Sequence, residues 1–393
     1  MTLIDRTMAQ PHPAQLIVML ALSPTISLGI APFAYSLVLP DMRDALGWSY
    51  SAAGFMNTVN AAGYLGGALV AASLVRRFGL FRVVQAGTLA CVASLLLCAL
   101  SGNFALLGLA RLLAGLGAAV SFVAGGALAA TLAQTEPQRS SFLLSLFYAG
   151  PGLGILLSGL LAPLLLGLLG PGSWRAVWLA LALVAGALTL PLLLRPIAAQ
   201  AALTPGKPAR FAAGPVAIYL IAYFLFGAGY IAYMTFMIAY VRDAGGGALA
   251  QSGFWCLIGA GAFASPWVWR RLIARGRSGI TTAIILGVNA LGAALPLLSP
   301  SPWMLAVSAA VFGVAFFAVV TTTTAFVRFN YPPEAWPSAI AAMTIVFGVG
   351  QTIGPIATGA ITDAMGSLDT TLNVSAAALA LGAALAAFQR PVG

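Results

Sequence analysis

Twelve apolar stretches, each long enough to cross a bilayer as a helix, leave this chain few ways to fold. They lie at 15–40, 51–75, 80–100, 103–133, 141–169 and 174–194, and then at 214–241, 250–269, 279–298, 303–329, 338–365 and 370–388. A helix rises about 1.5 Å per residue, so roughly 20 apolar residues cross a hydrocarbon layer about 30 Å thick. In lipid only helices and closed barrels satisfy every backbone N–H and C=O, and these stretches lack the alternation of a barrel strand. Composition agrees: 61% of the residues are hydrophobic and 7% are charged, too little polar surface to coat a water-soluble globule. The expected fold is an all-α integral membrane protein with twelve transmembrane helices.

The net charge of +10 would point to nucleic acid in a soluble protein. Here the basic residues fill short loops between apolar spans and act as orientation signals, so no nucleic-acid partner is expected. Of the 18 Lys and Arg residues, all except Arg43, Arg175, Arg242 and Arg111 fall on the side of the chain termini. Positive charge resists translocation, which places both termini in the cytoplasm. The tail before the first span carries Asp5 beside Arg6, and the span is too long for a signal-peptide core, so the first helix is expected to be retained.

Cys91, Cys98 and Cys256 lie within spans, and His12, the single histidine, lies in the polar tail. Three scattered thiols form neither a disulfide framework nor a metal site, and hydrolase chemistry needs a histidine at the reacting group. No metal, no cofactor and no enzymatic activity are expected.

Motifs recur at a separation of about 200 residues. Gly29, Ala34 and Tyr35 return as Gly227, Ala232 and Tyr233, Gly54-Phe55 as Gly253-Phe254, Arg76-Arg77 as Arg270-Arg271, and Gly150-Pro151 as Gly354-Pro355. The expected organisation is two pseudo-symmetric six-helix bundles, at 1–194 and 214–393. They are joined by a cytoplasmic linker, 195–213, that holds Pro196, Pro205, Lys207, Pro208 and Arg210. Duplicated halves around a midplane site are a plan of secondary transporters.

Arg111 lies well inside the fourth span, where a charge is costly and normally faces a bundle interior or wet cavity with a partner. Three roles fit it: counter-charge for an anionic substrate, partner of a protonatable acid, or clamp on backbone carbonyls. No carboxylate falls near the middle of a span; Asp41, at the end of the first, is the candidate coupling partner, although its axial offset makes contact marginal. The seventh span carries Tyr219, Tyr223, Phe226, Tyr230, Tyr233, Met237 and Tyr240 at spacings of three and four, which places them along one helix face. From these and the other intramembrane polar groups, the candidate substrate contacts are Arg111, Tyr230, Tyr233, Phe226, Tyr35, Asn57, Asn60, Tyr148, Trp255 and Gln351. Small residues at four-residue spacing, among them Gly150, Gly154 and Gly354, suit close helix packing.

Three motifs then resemble the major facilitator superfamily. Gly67 to Arg82, with Arg76, Arg77 and Gly79, is similar to its G-x-x-x-D-R-x-G-R-R loop, with Arg76 in place of the usual Asp. Arg111-Leu-Leu-Ala-Gly115-Leu-Gly117 is similar to its R-x-x-x-G-x-G motif, and Gly150-Pro151-Gly152-Leu-Gly154 to the glycine-proline motif of its proton-exchanging exporters. The first helix also resembles a bacterial branch that carries G-x-G-R-F-x-Y-x-x-L-L-P, with Pro32 where that branch has Arg. The resemblance covers the whole chain. It implies a cavity lined by the seventh helix, gating and packing roles for Arg76, Arg77, Gly79, Gly115, Gly150, Pro151, Gly154, Gly354 and Pro355, and alternating access between two bundles.

No G-x-x-x-x-G-K-[ST] loop is present, so the energy source is expected to be a gradient. The reading is proton-linked export of a small amphipathic organic solute by a monomer in the lipid bilayer. The runner-up is uptake or facilitated passage of a small organic anion paired with Arg111. A membrane enzyme or a receptor is the alternative of another class; the first needs clustered catalytic groups and the second sizeable extramembrane domains.

Overall fold

A computed structural model describes residues 12–197, 212–332 and 335–392. Most of the expected linker, including Lys207 and Arg210, lies outside the described residues. Twelve helices are long and apolar enough to span a membrane, and no strand occurs among the described residues. We number them α1 Pro13–Leu46, α2 Tyr50–Phe78, α3 Leu80–Leu100, α4 Phe104–Ala133, α5 Ser140–Leu169, α6 Trp174–Leu194, α7 Ala217–Asp243, α8 Ala248–Val268, α9 Ile280–Leu298, α10 Pro302–Asn330, α11 Trp336–Met365 and α12 Leu368–Ala387. Successive helices run in opposite directions, so the described chain begins and ends on one face of the bundle. We call this the terminal side, and the opposite face the far side.

Short polar caps start several helices: Ser49 accepts from the Ala52 N–H, Asn103 from Leu106 and Ser301 from Met304. These side chains satisfy N–H groups that have no partner inside the helix. The outer surface carries large apolar side chains such as Leu100 and Leu298, both 75% exposed, and Leu168, 82% exposed. Such a surface needs lipid around it.

The six helices of each half pack chiefly on one another, and the halves meet where α2 runs along α11 and α5 along α8. Between helices in lipid the hydrophobic effect supplies no net drive, so close backbone approach carries the association. Gly115 in α4 shows how close: a Cβ there would lie 1.9 Å from the Asn60 carbonyl oxygen of α2. Gly150 and Gly154 of α5 press likewise on Ala21 and Thr25 of α1. Across the halves, Gly354 lies in α11 against Ala228 of α7 in the same half, while the carbonyl of its neighbour Pro355 faces Gly54 of α2.

Helix α1 is not continuous. It runs as an α-helix to Pro24, as a π-helix over Thr25–Ile30, through a turn at Ala31–Phe33, and again as an α-helix from Ala34. Beyond the turn the Ser36 N–H bonds to Phe33 O, three residues back, and not to Pro32 O. The carbonyls at this break therefore need other donors, since none is available from lipid.

Candidate functional site

A cavity of about 80 Å³ lies between the halves near the middle of the helices. Phe226, Tyr230 and Ile231 of α7, Phe316, Phe317 and Val320 of α10, and Phe347 and Gln351 of α11 form one wall. Leu28, Pro32 and Phe33 of α1, Asn57, Asn60, Ala61 and Tyr64 of α2, and Ala118 and Phe122 of α4 form the other. Among the described residues, no charged side chain lines it. Three aromatic rings of the first wall run nearly parallel: Tyr230 and Phe347 differ by 9° with centroids 5.7 Å apart, and Phe226 and Tyr230 by 21° at 5.0 Å. The lining is of the kind found in small-molecule sites, apolar with a few polar groups. The Gln351 amide N–H donates to the Tyr230 hydroxyl, which leaves Gln351 Oε1 buried without a partner.

Arg111 is buried and lies behind this wall, not on it. Its Nη1 donates to Ala31 O at 2.8 Å, and its Nη2 to Pro32 O at 3.1 Å and to Asn57 Oδ1 at 2.9 Å. The guanidinium carbon stands 4.8 Å from the Tyr35 ring centroid, within range of a cation–π contact. Among the described residues it has no carboxylate partner. The guanidinium thus supplies the donors that the broken α1 lacks, which matches the third of the roles its sequence position allows. The Tyr35 hydroxyl is itself committed to Ala53 O at 2.8 Å.

Asp41 does not turn towards Arg111. Its carboxylate accepts from the Gly172 N–H at 2.7 Å and the Trp174 N–H at 2.9 Å, at the start of α6, where helix dipole and free N–H groups favour an anion. Asp41→Ala is expected to cost about 1 kcal/mol of stability, as other lost caps do, which thermal unfolding of the variant checks.

The aromatic stripe of α7 divides. At 100° per residue its spacings spread over an arc of about 100°, wide enough for its members to meet different helices along the length of α7. Phe226 and Tyr230 line the cavity, and Tyr223 stacks on Phe347 beside it. Tyr233 points instead into its own bundle, where it bonds Ser308 at 2.7 Å and stacks on Phe312 at 4.0 Å. Tyr219 and Tyr240 likewise turn to α9 and α10. Trp255 is fully buried between α8 and α5, against Gly159. Tyr148 leans on Phe122 from outside the cavity wall. Of the sequence candidates, Asn57, Asn60, Phe226, Tyr230 and Gln351 are on the wall, whereas Tyr233, Trp255, Tyr148 and Tyr35 are not.

The halves are tied by hydrogen bonds towards the far side. Asp363 of α11 accepts from the Tyr50 N–H at 2.9 Å, the Ser51 N–H at 2.8 Å and the Ser51 hydroxyl at 2.5 Å, and so caps α2 of the other half. Arg242 meets Asp44 at 2.8 Å, Thr58 donates to Thr352 O at 2.7 Å, and Ser252 to Gly159 O at 2.7 Å. Asn57 Nδ2 donates to Thr235 Oγ1 at 2.7 Å. Thr235 gave no sequence signal, because a threonine within a span is ordinarily helix glue.

Residues 24–387 match the family model described as "Uncharacterised MFS-type transporter YbfB". The chain belongs to this family of MFS-type transporters. No curated protein sequence matches it. Among solved structures, the nucleoside transporter NupG superposes with a TM-score of 0.68 at 14% identity, covering 95% of this chain and 98% of NupG. A bacterial homologue of the human lysosomal transporter Spinster, crystallised inward-facing and unoccupied, gives 0.69 at 16% identity, covering 97% of this chain and 95% of that one. In its occupied inward-facing form the TM-score is 0.62 at the same identity and coverage. These likenesses show the MFS fold: twelve transmembrane helices in two pseudo-symmetric bundles.

The other MFS motifs take plain places. Arg76 and Arg77 end α2 on the terminal side, Arg76 donating to Ser73 at 2.9 Å and Arg77 standing 5.3 Å over the Phe78 ring. Gly79 joins α2 to α3 at φ 83°, a backbone angle that only glycine adopts freely.

Proposed function

We propose that this membrane transporter is a secondary transporter that moves a small amphipathic organic solute through the central cavity by alternating access. The carrying observation is the cavity itself: an aromatic wall from one half faces amides and a tyrosine from the other, and the bonds between the halves lie towards the far side. A solute with a flat apolar body and a few polar atoms fits such a lining, and rocking of the bundles would exchange the far-side bonds for contacts on the terminal side. With both termini in the cytoplasm, this state has its seal on the outside. Export linked to protons is put forward on the Gly150-Pro151 motif. A second reading, passage of an organic anion, draws support from the positive charge of Arg111, which lies behind Asn57 with its Nε unpartnered.

Purified protein in liposomes under an imposed pH gradient, with radiolabelled monocarboxylates, lipophilic cations and neutral amphiphiles, tests these readings. Gradient-driven movement of a neutral or cationic amphiphile is expected. Gln351→Leu should raise its KM about fivefold with little change in maximal rate, the effect of one lost hydrogen bond. Carboxylate movement alone would turn the assignment to the anion reading, and no movement of any class would overturn both.

A further inference from the structure

The hydrogen bond between Asn57 and Thr235 joins three features of the molecule. It crosses from α2 to α7, hence from one half to the other. Asn57 is also part of the cavity wall, and its other end is held by the buried Arg111. The direction of every bond in this row is fixed by chemistry. A guanidinium only donates, so the Asn57 oxygen faces Arg111 and its amide nitrogen faces Thr235. The Thr235 hydroxyl gives its proton to Ile231 O at 2.6 Å, so towards Asn57 it only accepts. The row runs one way, Arg111 to Asn57 to Thr235 to Ile231, and aligned bonds of this kind strengthen one another in a low dielectric.

We infer that the Asn57 amide nitrogen is both a latch between the halves, through the N–H that Thr235 accepts, and a hydrogen-bond donor that the cavity offers to its solute, through its second N–H, so that the solute must carry an oxygen acceptor. This deepens the alternating-access reading and rests on it. A carbonyl or carboxylate oxygen entering beside Asn57 accepts from the second N–H of the amide and draws the nitrogen towards the cavity, away from Thr235. As that bond lengthens, α2 loses its hydrogen bond to α7, and the far side is freer to part. Asn57 cannot answer by turning over, because its oxygen would leave Arg111 and its nitrogen would meet a donor. Binding and release are thereby coupled at one amide, and a solute without an acceptor fills the cavity and leaves the latch closed. Arg111 acts in this scheme as a positioning residue that holds Asn57 in register.

The test is pulsed double electron resonance between spin labels at Leu100→Cys on α3 and Leu298→Cys on α9, at the far ends of opposite halves and both exposed. Cys91 and Cys98 are buried, and the half-buried Cys256 is replaced by Ala. Thr235→Val removes the acceptor, together with the hydroxyl's own bond to Ile231 O within α7, and leaves the Arg111–Asn57 bond intact. It should raise the ratio of far-side-open to closed protein about threefold, the average for one hydrogen bond between membrane helices, with about twentyfold as the upper end. Thr235→Ser should restore the original ratio. In the unsubstituted background acetophenone or benzoate should produce the same rise, and ethylbenzene, which has the ring without the oxygen, should not. A response to acetophenone alone assigns a neutral carbonyl, and one to benzoate alone a carboxylate; either supports the latch.

Asp363→Asn, which weakens the far-side cap well away from the cavity, separates the two levels of failure. If it raises the open fraction while Thr235→Val leaves it unchanged, the latch is wrong and alternating access stands. If neither substitution moves the distribution, the alternating-access reading falls and the latch with it. A rise with ethylbenzene equal to that with acetophenone, or no rise with either oxygen probe, overturns the acceptor requirement.

Discussion

Arg111→Ala is expected to abolish transport and to destabilise the protein by about 2–4 kcal/mol, because it removes the donor from three acceptors that have no replacement. Ala31 O and Pro32 O lie at the break in α1, and Asn57 Oδ1 holds α2. Lysine is the informative control. If the residue served only as a positive charge for a solute, Arg111→Lys would keep most of the activity. The structure asks instead for a planar fork whose two nitrogens reach acceptors on two helices at once, at distances between 2.8 and 3.1 Å. An ammonium on a flexible stem does not reproduce that geometry. Arg111→Lys should therefore recover little transport and less than half of the lost stability, as read from thermal unfolding in detergent and flux in liposomes.

Gly54→Ala is expected to stop transport by a different route, with the fold kept. A Cβ on Gly54 would lie 2.2 Å from the Pro355 carbonyl oxygen and 2.8 Å from its carbon. Both are backbone atoms of α11, which cannot yield as a side-chain tip would. The added methyl group must push α2 and α11 apart where the halves meet on the far side, so the closed far-side state becomes the strained one. We expect flux to fall more than tenfold and the Leu100/Leu298 distance to shift to the open population, while the unfolding midpoint moves by only a few degrees. Gly115→Ala is the contrast. Its Cβ would meet Asn60 and Tyr64 backbone in the same half, so there the fold itself should suffer, and loss of folded protein is the expected readout.

Much of the architecture was legible because lipid makes the rules strict. Every span must be a helix, each must be near 20 residues or longer, and an arginine at depth must have a reason. The twelve ranges read from hydropathy agree with the helices to within a few residues, apart from the far end of α1, which continues to Leu46. The candidate site was legible in part. Amides and aromatic residues at the middle of spans marked Asn57, Asn60, Tyr230 and Gln351, all of which the fold brings to one cavity. Phe33, Phe122, Phe316, Phe317 and Phe347 also line it and carried no signal, since phenylalanine in a span is as well suited to lipid or to core.

What the sequence by itself determined is the class of molecule: twelve apolar helices, duplicated motifs and a buried arginine, consequences of hydrophobic length and of the cost of a charge in hydrocarbon. The tertiary structure decided what each polar group touches. Asp41 became a helix cap, Tyr233 a packing residue, Arg111 a clamp on a broken helix and Thr235 the acceptor across the interface. Helix faces in a membrane protein are chosen by shape and close approach, because lipid and protein are about equally apolar and periodicity alone does not separate them. Which residues of α7 meet the cavity, and which residue receives the Asn57 amide, therefore depends on how Gly54, Gly115 and their neighbours let the backbones come together.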